Sequence, residues 1–164
     1  MLSTMERVLF LRSVEVFGDV AGEDLASIAE VSEEVSFHAG EAIVRQGEPG
    51  DGLYVIVDGG VSIIVEGSGQ VAVRGPGNVV GEMAVLSGRP RAATCVAVGE
   101  VLALRLLRDD FLEIMTERQA VAVGVVRVLT ERLDEATQRL ASMRQPEEQS
   151  PPPTRLDDAA RKLS

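Results

Sequence analysis

Glu82 and Arg91 bracket the stretch of this chain whose residue types could do recognisable chemistry, Gly81-Glu82-Met83-Ala84-Val85-Leu86-Ser87-Gly88-Arg89-Pro90-Arg91-Ala92-Ala93-Thr94. Gly81 and Gly88 let the backbone bend or come close to a bound group. Met83 to Leu86 read as one short helical turn, too brief to stand as an independent helix. The start of such a turn offers free backbone N–H groups and the positive end of a dipole, which suits an anion. Arg91 adds a planar fork that matches phosphate oxygens. Glu82 would repel a phosphate, but it can accept a hydrogen bond from a sugar hydroxyl beside one. An arginine for a phosphate and a carboxylate for a ribose, a few residues apart, describe a nucleotide whose sugar and phosphate lie close together.

These residues carry a resemblance. The stretch is similar to the phosphate-binding cassette of the cyclic nucleotide-binding domain family: a Gly-Glu pair, a small apolar turn, then Arg-Ala-Ala or Arg-Thr-Ala. The likeness extends over residues 5–143, through Gly47-Glu48-Pro49-Gly50-Asp51 and Leu53-Tyr54-Val55-Ile56. It implies that Arg91 holds the exocyclic oxygens of a cyclic phosphate and that Glu82 accepts the ribose 2′-hydroxyl. Gly81, Met83 and Ala84 would supply backbone N–H groups and close approach. Ala92, Ala93 and Thr94 bear on the base. Relatives that favour cGMP often carry Thr or Ser directly after the arginine, and Ala92 stands there, so the expected ligand is cAMP, with cGMP second. Two positions depart from the pattern. Val80 replaces a usual aromatic. Arg74 replaces a usual apolar residue beside the base, and either stacks on the adenine or points to solvent. Arg132, in Glu131-Arg132-Leu133, is similar to places where relatives cap the base; a solvated arginine is the other reading.

The cassette needs a frame. Ser3 and Glu6 are spaced as a capping box opening a helix to about residue 13. Glu23-Asp24 opens a second, with Leu25, Ile28 and Ala29 on one face. From residue 31 to 107, Val- and Ile-rich runs alternate with Gly, Pro, Asp and Ser. They predict strands over 33–38, 42–46, 53–57, 61–65, 70–74, 78–80, 93–98 and 101–107. The expected fold is mainly β: an eight-stranded antiparallel jelly-roll β-barrel with short N-terminal helices and C-terminal lid helices. The cassette interrupts the strands, so it lies at the barrel mouth, where ligands commonly sit.

Asp110 and Glu113 are spaced as another capping box, and Glu117-Arg118-Gln119 reads as a bend. A long helix follows over 120–143. Ala122, Val126, Leu129, Leu133, Ala136, Leu140 and Met143 form a heptad seam on it, which wants an apolar partner, either a second copy or an effector domain. The domain boundaries read as 1–143 for the binding domain (helical 3–30, β-roll 31–107, helices 108–143) and 144–164 for a flexible tail or linker, with three consecutive prolines.

Composition narrows the function. With 26 Asp and Glu against 16 Lys and Arg, the net charge is −10, which argues against nucleic-acid affinity. A small anion must then be drawn by local groups. His38 and Cys95 are the sole histidine and cysteine, so a cupin-type metal site is nearly excluded. No Ser-His-Asp, Cys-His or spaced acid pair appears, and no catalytic residue or metal ligand is expected. Arg12 and Glu15 interrupt the apolar patch at residues 8–11, which is neither a signal peptide nor a membrane span, and the expected compartment is the cytoplasm. The reading is a non-catalytic sensor that binds a cyclic nucleotide and signals through movement of its C-terminal helix. The alternative is the same fold used for docking without a nucleotide.

Overall fold

The computed structural model describes residues 1–148. Ser3 caps α1 (Thr4–Leu11) in both directions: its hydroxyl accepts from the Glu6 N–H at 3.2 Å, and the Glu6 carboxylate accepts from the Ser3 N–H at 2.7 Å. Helix α2 (Gly22–Val31) buries Leu25, Ile28 and Ala29, the stripe that its spacing predicts. The strands are β1 (Glu33–Phe37), β2 (Ala42–Val44), β3 (Gly52–Asp58), β4 (Val61–Val65), β5 (Gly69–Arg74), β6 (Val79–Val80), β7 (Thr94–Ala97) and β8 (Val101–Leu107).

All eight strands occur where the punctuation puts them, but they do not close into a barrel. They form two four-stranded antiparallel sheets, ordered β1-β8-β3-β6 and β2-β7-β4-β5, which make a jelly roll with open edges. Between them lies a core drawn from both, including Ile43, Tyr54, Ile56, Val61, Cys95, Ala97 and Ala103. The residues of β3 and β8 that alternate with that core, Leu53, Val55, Leu104 and Leu106, are fully buried too. Burial on both faces explains why these two strands read as continuous apolar runs instead of alternating ones.

Helix α3 (Glu82–Ser87) is the cassette turn, flanked by glycines on both sides. Helix α4 (Arg108–Glu117) starts at Arg108 behind Leu107, with no side-chain cap. Asp110 therefore lies inside the first turn, and the capping box expected at Asp110 and Glu113 does not form. The reason is that β8 runs straight into the helix, and the Arg108 N–H is satisfied by the Asp51 carbonyl instead.

Helix α5 (Gln119–Glu148) spans two compact units, divided after Val128. Within the first unit, its buried stripe is Val121, Gly124, Val125 and Val128, whereas Val126 of the expected seam is 63% exposed. The seam is thus not what packs. Gly124 decides the stripe, because its missing side chain lets the helix backbone lie against the Val16 carbonyl. In the second unit Leu133, Leu140 and Met143 are exposed. Of the tail expected over 144–164, residues 144–148 form the end of α5, and the rest lies outside the described residues. No helix among the described residues is long and apolar enough to cross a membrane.

His38, after β1, pairs with Glu100 at 3.0 Å, and that hydrogen bond with the carboxylate's charge raises the imidazole pKa above its usual value. A raised folded-state pKa stabilises the fold below the unfolded value of about 6.5, and the contribution is lost as pH rises through the folded value. An NMR titration should place His38 above about 6.5, and Glu100→Gln should bring it back down. Both groups are exposed, so the effect on stability is small.

Candidate functional site

Two glycines set the cassette. Gly81 takes φ 83° and Gly88 φ 70°, so α3 is entered and left through left-handed residues. Gly81 has a second reason to be glycine, since a Cβ there would lie 2.6 Å from Nη1 of Arg91. No side chain caps the start of α3, where the first N–H groups of a helix lack intrahelical partners.

Arg91 is 5% exposed. Its Nη1 donates to the Gly81 carbonyl at 2.9 Å and its Nη2 to the Gly52 carbonyl at 2.6 Å. A longer contact of 3.5 Å joins Nη2 to the Asp51 carboxylate. The two carbonyls fix the guanidinium plane. The Asp51 carboxylate is largely exposed, so its contact with Arg91 is weak and solvent-screened. A guanidinium has five N–H donors. Arg91 is thus a buried cation held by neutral carbonyls and one loosely held acid, with donor capacity left for an anion.

Glu82 is 9% exposed at the start of α3. Its neighbour Gly81 touches Arg91 directly, which sets the backbone of Glu82 beside the arginine. The Cys95 thiol reports the same convergence. Burial pushes its pKa up to about 12, the Glu82 carboxylate adds to the rise, and the positive charges of Arg91 and Arg74 oppose it.

Arg74 is placed by its strand register. In the register of the second sheet it lies opposite Val61, which lies opposite Ala97. Both partners are buried in the core between the sheets. Directly opposed residues share a face, so Arg74 is on the inner face and is half-buried there. The bulge in the β4–β5 pairing lies beyond Ile63 and leaves the register at Arg74 intact, while Nη1 of Arg74 donates to the Val73 carbonyl at 3.5 Å in an exposed setting.

Beside Arg91 is a cleft of about 310 Å³, at the lower end for a small-molecule site. Ile43, Val44 and Tyr54 give it an apolar wall, and Glu48, Asp51 and Arg91 its charges. A second cleft, of about 320 Å³, touches Ala84 on the other side of the loop. Glu82, Ala92, Ala93 and Arg74 line neither of these two. Ala92 and Met83 are exposed, and Ala93 is half-buried. Arg132 is half-buried on α5 in the second unit. Among the described residues no cluster of three or more His, Cys, Asp or Glu could hold a metal ion.

Sequence reasoning missed Asp51, Gly52 and Arg105. Asp51 Oδ2 accepts from Arg105 Nη2 at 3.2 Å while Oδ1 faces Arg91, so one carboxylate joins two arginines from different elements. The turn Gly47-Glu48-Pro49-Gly50-Asp51 was visible as a turn. Nothing local signals that its carboxylate and the next carbonyl orient an arginine forty residues on.

Comparison with known proteins agrees with this geometry. A family model described as "Cyclic nucleotide-binding domain" matches residues 34–118. A cAMP-dependent protein kinase regulatory subunit from Dictyostelium discoideum is 38% identical over 109 residues, 62% of this chain and 33% of that protein. A CRP-like cAMP-activated global transcriptional regulator from Mycobacterium tuberculosis is 28% identical over 132 residues, 78% of this chain and 59% of that protein. The chain thus spans only part of each relative's length. A cyclic nucleotide-binding domain from Methylobacillus flagellatus has a similar structure, with TM-score 0.74 and 25% identity, covering 85% of this chain and 83% of that one.

Proposed function

The chain belongs to the cyclic nucleotide-binding domain family, and we propose that it is a non-catalytic sensor that binds cAMP and signals through movement of its C-terminal helix. One observation carries the reading: a buried arginine with spare donors, held by the Gly81 and Gly52 carbonyls, beside a buried glutamate. Arg91 takes the exocyclic oxygens of the cyclic phosphate, helped by N–H groups of Gly81, Met83 and Ala84. Glu82 accepts the ribose 2′-hydroxyl. A deoxy ligand would leave that carboxylate unpaired, which gives discrimination. Ala92 and Ala93 lie toward the base.

Nucleotide shifts the helix only through its differential affinity for two states. The exposed Leu133, Leu140 and Met143 support a second copy or an effector along α5 as the recipient of the signal.

Arg74, which strand register places on the inner face, favours a second reading, in which the base is guanine. An arginine fork can donate to O6 and N7 of guanine together, whereas adenine offers only N7 as acceptor on that edge. Calorimetric titration with cAMP, cGMP and 2′-deoxy-cAMP separates the two. Tighter binding of cAMP, with the deoxy form weaker, is expected. A preference for cGMP that vanishes in Arg74→Ala would transfer the assignment to cGMP. No heat with either nucleotide would sink the sensor reading in favour of nucleotide-free docking.

A further inference from the structure

The second cleft carries a charge pattern that the nucleotide reading does not use. It opens between the 47–50 turn, α3 and the start of α4, and Arg89 and Arg108 line it together. None of its lining residues is acidic, in a chain with 26 acidic side chains. The Arg89 side chain is exposed and has no hydrogen-bond or ion-pair partner among the described residues, its only bond coming from the backbone N–H. Arg108 donates through Nε to the Val85 carbonyl at 3.0 Å and has no carboxylate partner among the described residues. By contrast, Arg105 is paired with Asp51 and Glu33 and Arg118 with Asp24.

We propose that this cleft docks an acidic segment of a partner protein, with Arg89 and Arg108 holding its carboxylates. A phosphate site is the poorer fit, because such sites rest on free backbone N–H groups, and most of those lining this cleft are engaged, while the Ala84 N–H belongs to the cassette turn assigned to the nucleotide. The Gly47 N–H goes to the Arg91 carbonyl and the Gly88 N–H to the Ala84 carbonyl. Pro49 and Pro90 have none. What remains is two side-chain forks over a proline-surfaced floor, which suits an extended peptide. The chain's overall charge opposes an acidic partner, but beyond about 8 Å that field is screened at physiological salt, so the local pair decides.

The cleft also touches the cassette. Ala84 lies in its wall, and Arg108 holds the last turn of α3. Docking and nucleotide binding therefore act on the same helix, and each changes the affinity of the other by the same factor. Only this linkage rests on the sensor reading; the docking itself does not.

The test is fluorescence anisotropy of the full chain with a labelled Glu-Asp-Glu-Glu-Asp-Glu peptide, a neutral Gln-Asn counterpart and pyrophosphate as competitor. Expected are binding of the acidic peptide alone, at least tenfold loss in Arg89→Glu with an unchanged melting temperature, and an affinity changed by saturating cAMP. No binding, binding indifferent to Arg89→Glu, or pyrophosphate displacing the peptide at equal concentration would each overturn the docking site. An affinity that cAMP leaves unchanged, in a chain that binds cAMP, would overturn the linkage. A chain that fails to bind cAMP but still binds the peptide at Arg89 would keep the docking site and remove the sensor reading.

Discussion

Arg91→Ala is expected to weaken cyclic nucleotide binding by about 10- to 1000-fold, since a charge-assisted bond is worth roughly 1.5–3 kcal/mol, loss of a buried partner costs more, and ~1.4 kcal/mol is tenfold. The same change leaves the Gly81 and Gly52 carbonyls without their donor, so part of the effect will appear as lost stability. Two measurements keep the terms apart. Calorimetry reads the affinity, and thermal unfolding without ligand reads the fold. Arg91→Lys restores a charge but not a fork, and it should recover little of the affinity. Full recovery in the lysine variant would mean that charge alone suffices and that the held orientation of the guanidinium is irrelevant. Unaltered affinity in the alanine variant would remove Arg91 from the site altogether.

Gly124→Val is expected to destabilise the first unit by about 3 kcal/mol, the upper end for a forced side chain in a packed contact, which lowers the melting temperature by roughly 6–12 °C in a chain of this size. The added Cβ would fall on the Val16 carbonyl. That oxygen belongs to backbone between α1 and α2, and it cannot swing aside as a flexible side chain would. Gly124→Ala is the sharper control. Helix propensity alone predicts a gain of up to about 1 kcal/mol for alanine in a helix interior, whereas the contact predicts a loss. A melting temperature that rises in Gly124→Ala would show that α5 does not lie against Val16 as described.

These two residues differ in how far they could be read in advance. Arg91 stands in a short pattern whose glycines, acid and arginine are local neighbours, and the chemistry of a phosphate beside a ribose follows from their types. Gly124 stands in a run of valines and alanines with nothing nearby to explain it. Its partner is more than a hundred residues away in sequence, and no local period names a partner. The heptad seam shows the same limit. Ala122, Val126 and Leu129 satisfy the spacing, but Val121, Val125 and Val128 satisfy a helical spacing as well, and the stripe that packs is the one holding the glycine.

The sequence by itself determined the order of the eight strands and their extents to within about two residues, the short helix between β6 and β7, and the acid–arginine pair around it. Turn glycines, β-branched runs and cassette residues act over a few positions, and their conformational preferences need no distant partner. The tertiary structure alone decided that the sheets stay open, that the register of Arg74 puts it on the inner face of its sheet and that Asp51 joins Arg91 to Arg105. It also selected the face of α5 that is buried. Each of those depends on which strand lies opposite which, and on backbone meeting backbone across long stretches of chain, where close packing admits one arrangement and excludes the others that the local pattern allows.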